Sequence, residues 1–287
     1  MVYYDDSSIA QYMNKMNLQE IQNLSLNILK NVHEFCVNHN IRYSLAYGTL
    51  IGAIRHKGFI PWDDDIDIIM PRPDYDKFCE IYQSGKYKLL SKESDSGGYM
   101  MAFARVCDCT HTFADSVVPC SVGEMGVWID VFPADNVSDD FEEFKSFYHK
   151  SESLWERSCT ARHGFTSFPC RNRSVVYNIK LLVKKILFAN GKAAFRYIKE
   201  VKKRAFTYSY GSTGHWSQLC CLDDGVRSYH SMDCLSGFEL APFEDAEFYI
   251  MKGYDEFLRN VYGDYMQLPP EDKRVPKLEF TTFYFKD

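Results

Sequence analysis

At 287 residues and 46% hydrophobic content, the chain is long enough for one large core or two small ones, and neither its composition nor its charge points to disorder. A net charge of −6 excludes a non-specific nucleic-acid binder, which needs a broad basic surface to neutralise phosphates. There are ten cysteines, yet residues 1–14 lack a basic and apolar leader and no apolar run is long enough to span a bilayer, so the thiols read as reduced and the expected place is the cytoplasm.

The first predicted element is an amphipathic helix over residues 14–39, with Leu18, Ile21, Leu24, Ile28, Val32, Phe35 and Cys36 on one face. The alternation Ile41, Tyr43, Leu45, Tyr47 predicts a strand, which turns at Gly48-Thr49 into a short helical stretch over residues 50–55. A second strand is expected over residues 62–70, stopped by Pro71 and Pro73, and Pro73 suits the first turn of the helix that follows. Further strands are expected at residues 87–90, 100–106 and 127–132. Beyond residue 135 the pattern turns helical, at about 139–162, 174–188 and 192–208, with breaks at Phe168-Pro169-Cys170 and Asn190-Gly191. Short β segments return between 214 and 250, then a helix at 254–261 and a tail with Leu268-Pro269-Pro270.

The segment Trp62-Asp63-Asp64-Asp65-Ile66-Asp67-Ile68-Ile69 carries the chemistry. In a strand, Asp63, Asp65 and Asp67 share one face while Ile66, Ile68 and Met70 share the other. Three carboxylates on one face repel one another, and a hard cation such as Mg²⁺ relieves that conflict while taking substrate phosphates into its remaining positions. A further carboxylate has to come from another strand, and Asp130, the lone charge of Val127-Trp128-Ile129-Asp130-Val131-Phe132, fits.

The turn at Gly48 and Thr49 stands between strand and helix, where free backbone N–H groups favour an anion. Arg55, His56 and Lys57 lie between that turn and the acidic strand as candidate partners of a diphosphate, and Arg105, in an apolar strand, is a fourth. The cysteines, with His163, offer a competing zinc site, but Cys107-Asp108-Cys109 and Cys220-Cys221 lack the usual two-to-four-residue separation and argue against it.

The run from Tyr47-Gly48-Thr49-Leu50 through Arg55-His56-Lys57-Gly58-Phe59-Ile60-Pro61-Trp62-Asp63-Asp64-Asp65-Ile66-Asp67 resembles the signature of the LicD family, which is related to fukutin and fukutin-related protein. The likeness continues through Met70-Pro71-Arg72-Pro73-Asp74-Tyr75, Trp128-Ile129-Asp130-Val131-Phe132-Pro133 and Tyr262-Gly263-Asp264-Tyr265-Met266; the helical middle, residues 137–234, shows no family pattern. The tail departs from it, because Arg274 is followed by Val275-Pro276 where family members often carry a histidine.

The resemblance implies an α/β (α+β) fold, a nucleotidyltransferase-like mixed sheet core with an appended helical section. Residues 1–135 would form the core with the metal site, 136–235 the helical section, and 236–287 a segment packing back on the core. It implies transfer of phosphocholine or a polyol phosphate from a CDP-linked donor to a glycan or lipid-linked glycan acceptor, as in lipopolysaccharide or teichoic acid modification. The expected catalytic set is Asp63, Asp65, Asp67 and Asp130, with Asp65, Asp67 and Asp130 around Mg²⁺ or Mn²⁺. Gly48, Thr49, Arg55, His56, Lys57 and Arg105 form the expected phosphate-binding set. The alternatives are nucleotidyl transfer with release of pyrophosphate, and a catalytically inactive binding module of the same fold. For residues 174–204, where Val176, Ile179, Val183, Ile186 and Leu187 alternate with many lysines, the expectation is an apolar face packed on the core, with a peripheral membrane contact as the alternative.

Overall fold

The computed structural model describes residues 14–91, 98–116, 121, 125–162, 174–188, 191–222, 224–276 and 281–286. His163, Cys170 and the Phe168-Pro169 break lie outside the described residues, as does the extreme N-terminus. The first helix, α1 (Leu18–His39), starts on a capping box: the Glu20 N–H donates to Asn17 Oδ1 at 3.0 Å and the Asn17 N–H to Glu20 Oε2 at 2.8 Å. It ends where Asn40 turns left-handed, at φ 51°, and buries Ile21, Ile28, Leu29, Val32 and Cys36.

The main sheet has seven strands: β1 (Ser44–Leu45), β2 (Asp67–Pro71), β3 (Lys88–Leu90), β4 (Ala104–Asp108), β6 (Val127–Val137), β7 (His215–Ser217) and β8 (His230–Ser231). The order is β1-β2-β6-β4-β3, with β7 joined to the far end of β6 and β8 to β7. Only β2 and β6 run parallel; the other pairs are antiparallel. Thus β6 is the spine. It pairs with β4 over Val127 to Val131 and with β2 over Asp130 to Ala134, and its last residues, Asp135 to Val137, pair with Ser217 to His215. The mixed α/β sheet agrees with the expected fold class, while the boundary expected at residue 135 falls inside β6.

The short helix α2 (Tyr47–Ile51) runs straight into a π turn at Gly52–His56, and α3 (Arg72–Ile81) follows β2 with Pro73 in its first turn. Ile68 and Ile69 point to opposite faces of β2 and both are fully buried, so the strand is covered on both sides. The expected strand over residues 62–70 is shorter than its pattern. Ladder pairing begins at Asp67, opposite Asp130, and Asp63 to Ile66 lead into the strand, with the Ile66 carbonyl accepting from the Asp130 N–H at 2.9 Å.

The helical section consists of α4 (Phe141–Arg162), α5 (Val175–Phe188) and α6 (Gly191–Ala205). Helix α6 lies along α4, and α5 touches α4 more lightly. Two further antiparallel pairs complete the fold. The first, β9 (Phe238–Phe243) with β10 (Ala246–Met251), is tied to the sheet where the Met251 N–H donates to Ser44 Oγ at 2.8 Å. Helix α7 (Tyr254–Tyr262) follows it. The second pair, β5 (Thr112–Ser116) with β11 (Thr281–Phe285), was not expected from the sequence, and it turns the supposed tail into a strand.

Candidate active site

The acidic lead-in is held from three sides. The Asp63 N–H donates to the Ile60 carbonyl at 2.9 Å, and buried Gln22 of α1 donates to the Asp63 carbonyl at 2.8 Å. The Asp67 N–H donates to the buried Thr49 hydroxyl at 2.9 Å. Gly48 is required by a close approach, because a Cβ there would stand 2.5 Å from the Asp63 Oδ2. Gly48 and Thr49, expected as a phosphate cradle, therefore both act on the acidic segment itself. Just before them Tyr47 sits at φ 50°, a left-handed conformation uncommon outside glycine and concentrated at functional sites.

Held this way, Asp63, Asp64 and Asp65 place carboxylate oxygens within 4.8 Å of one another. Asp67 and Asp130 are not members of that group; they face each other one strand apart, as register partners of β2 and β6. On the other side of Asp130 its register partner is Arg105 of β4. The guanidinium forks onto the carboxylate, Nε to Oδ1 at 2.5 Å and the second nitrogen to Oδ2 at 3.3 Å, and its Cζ lies 4.2 Å from the centre of the Trp128 ring. Arg105, expected as a phosphate partner, thus forks onto Asp130. A row Asp67, Asp130, Arg105 crosses three adjacent strands.

Burial pushes the Asp67 carboxyl well above the usual carboxylate range, and Asp65, Asp130 and Asp63 push it further, with Arg105 the opposing influence. Burial also raises Asp130, against the charge and hydrogen bonds of Arg105 and a hydrogen bond from Trp128. The negative charge of this corner therefore exceeds what its one guanidinium offsets.

The remaining basic candidates separate. Arg55 donates to the carbonyls of Tyr265 at 2.5 Å and Gln267 at 3.3 Å, which fastens the chain after α7 to the π turn. His56 packs edge-on against Trp62 with ring centres 6.5 Å apart, and burial lowers its pKa. Lys57 is exposed at φ 60°, and its carbonyl accepts from the Glu244 N–H. Trp62, next to Asp63 in the chain, also lies 5.9 Å from the Arg274 guanidinium.

Sequence reasoning missed Asp64 as a cluster member, Gln22 as its support, and two tyrosines. The Tyr47 ring meets Phe132 edge-on and Phe257 at a tilt, and burial raises its pKa, with Asp224 and Asp67 among its charged neighbours. Tyr262, at the end of α7, is raised by burial and by Asp224, Asp67, Asp63 and Asp65. Only the LicD-like stretch Tyr262-Gly263-Asp264 hinted at the latter. A cavity of about 180 Å³ opens between α1, β4, β6 and β11, with Asp64, Asp65, Arg105, Trp128 and Asp130 on its wall.

The donor set is all oxygen and converges within the span of one small ion, which suits a hard divalent cation and not zinc. Among the described residues no cysteine or histidine joins a metal-holding group.

Residues 40–174 match the family model described as LicD/FKTN/FKRP, nucleotidyltransferase domain. The chain is 34% identical over 271 residues to the lipopolysaccharide cholinephosphotransferase LicD of Haemophilus influenzae, covering 92% of this chain and 97% of that protein. An uncharacterized protein of Rickettsia prowazekii is 42% identical over 115 residues, 40% of each chain, and one of Rickettsia typhi is 38% identical over 81 residues, 28% of this chain and 25% of that one.

Proposed function

The chain belongs to the LicD/FKTN/FKRP nucleotidyltransferase family, and we propose on that basis that it is a phosphotransferase that moves phosphocholine from a CDP-linked donor to the glycan of a lipopolysaccharide-type acceptor. The observation that carries this reading is the end-to-end similarity to a lipopolysaccharide cholinephosphotransferase, joined to a carboxylate cluster that fits a divalent cation. In the reaction, an acceptor hydroxyl oxygen forms a bond to the donor's β-phosphorus. The bond from that phosphorus to the bridging oxygen breaks, and CMP departs with the electron pair.

Asp63, Asp64 and Asp65 would hold Mg²⁺ or Mn²⁺, with Asp67 and Asp130 behind them. When bound, the ion offsets diphosphate charge in the transition state. Asp63, fixed through its carbonyl by Gln22 and its N–H by Ile60, takes the hydroxyl proton. Arg105 fixes Asp130 and opposes the rise that burial imposes on its pKa. The Tyr47 and Tyr262 rings beside the carboxylates are the contacts suited to the quaternary ammonium of a choline head group. The enzyme works in the cytoplasm, and an acceptor carried on lipid brings it to a membrane face.

The test incubates the protein with CDP-choline, and with CDP-linked polyols, in Mg²⁺, Mn²⁺ or chelator. Metal-dependent release of CMP supports the reading. Release of pyrophosphate from a nucleoside triphosphate, with no CMP, would replace it by nucleotidyl transfer. No turnover of either kind, together with donor binding, would leave a binding module.

A further inference from the structure

The expectation that α5 buries its apolar face does not hold. Val175, Val176, Ile179, Leu182, Val183, Ile186 and Leu187 are between 40% and 75% exposed, and the one fully buried side chain described on the helix is Leu181. At about 100° per residue the exposed seven fall in one arc of about 140°, with Leu181 on the opposite side. The helix is amphipathic but turned outward. An arc of seven branched apolar side chains in water is not the scattered surface hydrophobicity that every protein has, and it marks a contact surface.

Two candidate occupants differ in charge. Residues 174–205 contain nine lysines and arginines and one acid, Glu200, in a chain whose net charge is −6. On α6, Arg196, Lys199 and Lys203 are all exposed and share one face, opposite buried Ile198, Val201 and Ala205; on α5, Lys180 is exposed at the border of the apolar arc. A second copy docking on this arc would bring the same surplus of positive charge against it. An anionic lipid surface complements it. The helix has 14 residues, about 21 Å, short of a bilayer's apolar core of about 30 Å, and no described helix is long and apolar enough to cross a membrane. Such a helix lies in the plane of the interface with its apolar side chains among the acyl chains and its lysines among the head groups.

We propose that the outward apolar arc of α5, with the basic faces beside it, docks the enzyme on an anionic membrane surface. This goes beyond the transferase reading, and vesicle binding needs neither donor nor acceptor, so the two stand or fall separately. The full chain is sedimented with vesicles of phosphatidylcholine alone or mixed with phosphatidylglycerol, at low and high salt. The expected result is binding to the anionic vesicles at low salt, falling roughly tenfold at high salt or on neutral vesicles. The pair Ile179→Glu and Ile186→Glu abolishes it, and the exposed pair Lys180→Glu and Lys199→Glu weakens it roughly tenfold, each with unchanged melting temperature. Absence of binding to either vesicle, binding indifferent to salt, or binding retained by the Ile179→Glu and Ile186→Glu protein overturns the proposal. So does a dimer in light scattering that this variant dissociates, which would assign the arc to a second copy.

Discussion

Asp67 stands on a strand between buried isoleucines, beside Asp130 and within the field of Asp63 and Asp65, and burial with these like charges pushes its carboxyl up. A carboxyl whose pKa is raised on folding favours the fold at acid pH, and that contribution is lost as pH rises through the folded value. Without metal, Asp67→Asn should therefore raise the melting temperature at pH 7 and change it little at pH 4. Turnover should fall by on the order of a hundredfold or more with the fold kept. Wild-type turnover in the variant would remove Asp67 from the site. Gly48 gives a second prediction: in Gly48→Ala the new Cβ falls 2.5 Å from the Asp63 carboxylate, which has to move. A displacement of this size costs roughly a hundredfold in rate. Steady-state turnover and thermal melting of the same preparation separate that loss from unfolding. The aspartates were legible because Asp among isoleucines has no packing reason to be there. Gln22, Tyr47 and Tyr262 were not, since glutamine on a helix and tyrosine near aromatics look like ordinary packing until the tertiary fold brings them to the cluster.

At the scale of elements, the sequence carried whatever is written in a local period. The periodicity of α1 and the proline start of α3 are visible in a few residues. Strand limits are not, because a strand ends where its partner does. The alternation of residues 62–70 runs past the point, Asp67, where β6 supplies hydrogen bonds, and β5 finds its partner in β11, across more than half the chain. The same dependence on distant partners appears where α3 meets the spine strand. Arg72 opens the helix and forks onto Asp135 near the end of β6, at 2.5 and 2.8 Å, with the carboxylate almost wholly buried. Burial lifts the Asp135 pKa to about 6 against the pull of Arg72. Arg72→Met would leave that carboxylate without its cation, at a cost of about 3 kcal/mol or more at pH 7. Without Arg72 the carboxyl rises above that value, so the deficit should shrink as pH falls toward about 6, where Asp135 takes a proton in both proteins, and level off below it. Chemical denaturation at pH 7.5 and 5 checks this; an equal loss at both would mean that the ion pair does not govern the junction.

Across the whole molecule, the charge is divided: an acidic corner at the head of β2, and a basic helical section that carries much of the positive charge of an acidic chain. What joins the far end of the sheet to the C-terminal helix is an uncharged contact. His230 of β8 is buried against Trp216 of β7 and Phe257 of α7, with ring centres 4.7 and 4.8 Å away, and the same helix ends in Tyr262 beside the aspartates. Burial depresses the His230 pKa to about 3, so the imidazole is neutral in the fold while the unfolded chain takes a proton below about 6.5. For a depressed group, the contribution to stability is whole above the unfolded value and is lost as pH falls through the window down to the folded one. The loss reaches on the order of 4 kcal/mol at pH 3, about 1.4 kcal/mol for each pH unit. His230→Phe keeps an aromatic ring between Trp216 and Phe257 and removes the titration. The difference in unfolding free energy between wild type and this variant should therefore be constant above pH 7 and shift steadily in favour of the variant as the solution is acidified. The raised carboxyls of Asp67 and Asp135 act in the opposite sense but are common to both proteins and cancel in the difference. A pH-independent difference would show that His230 is hydrated or protonated in the native state, and that the packing of α7 against the sheet is not the apolar contact that its burial implies.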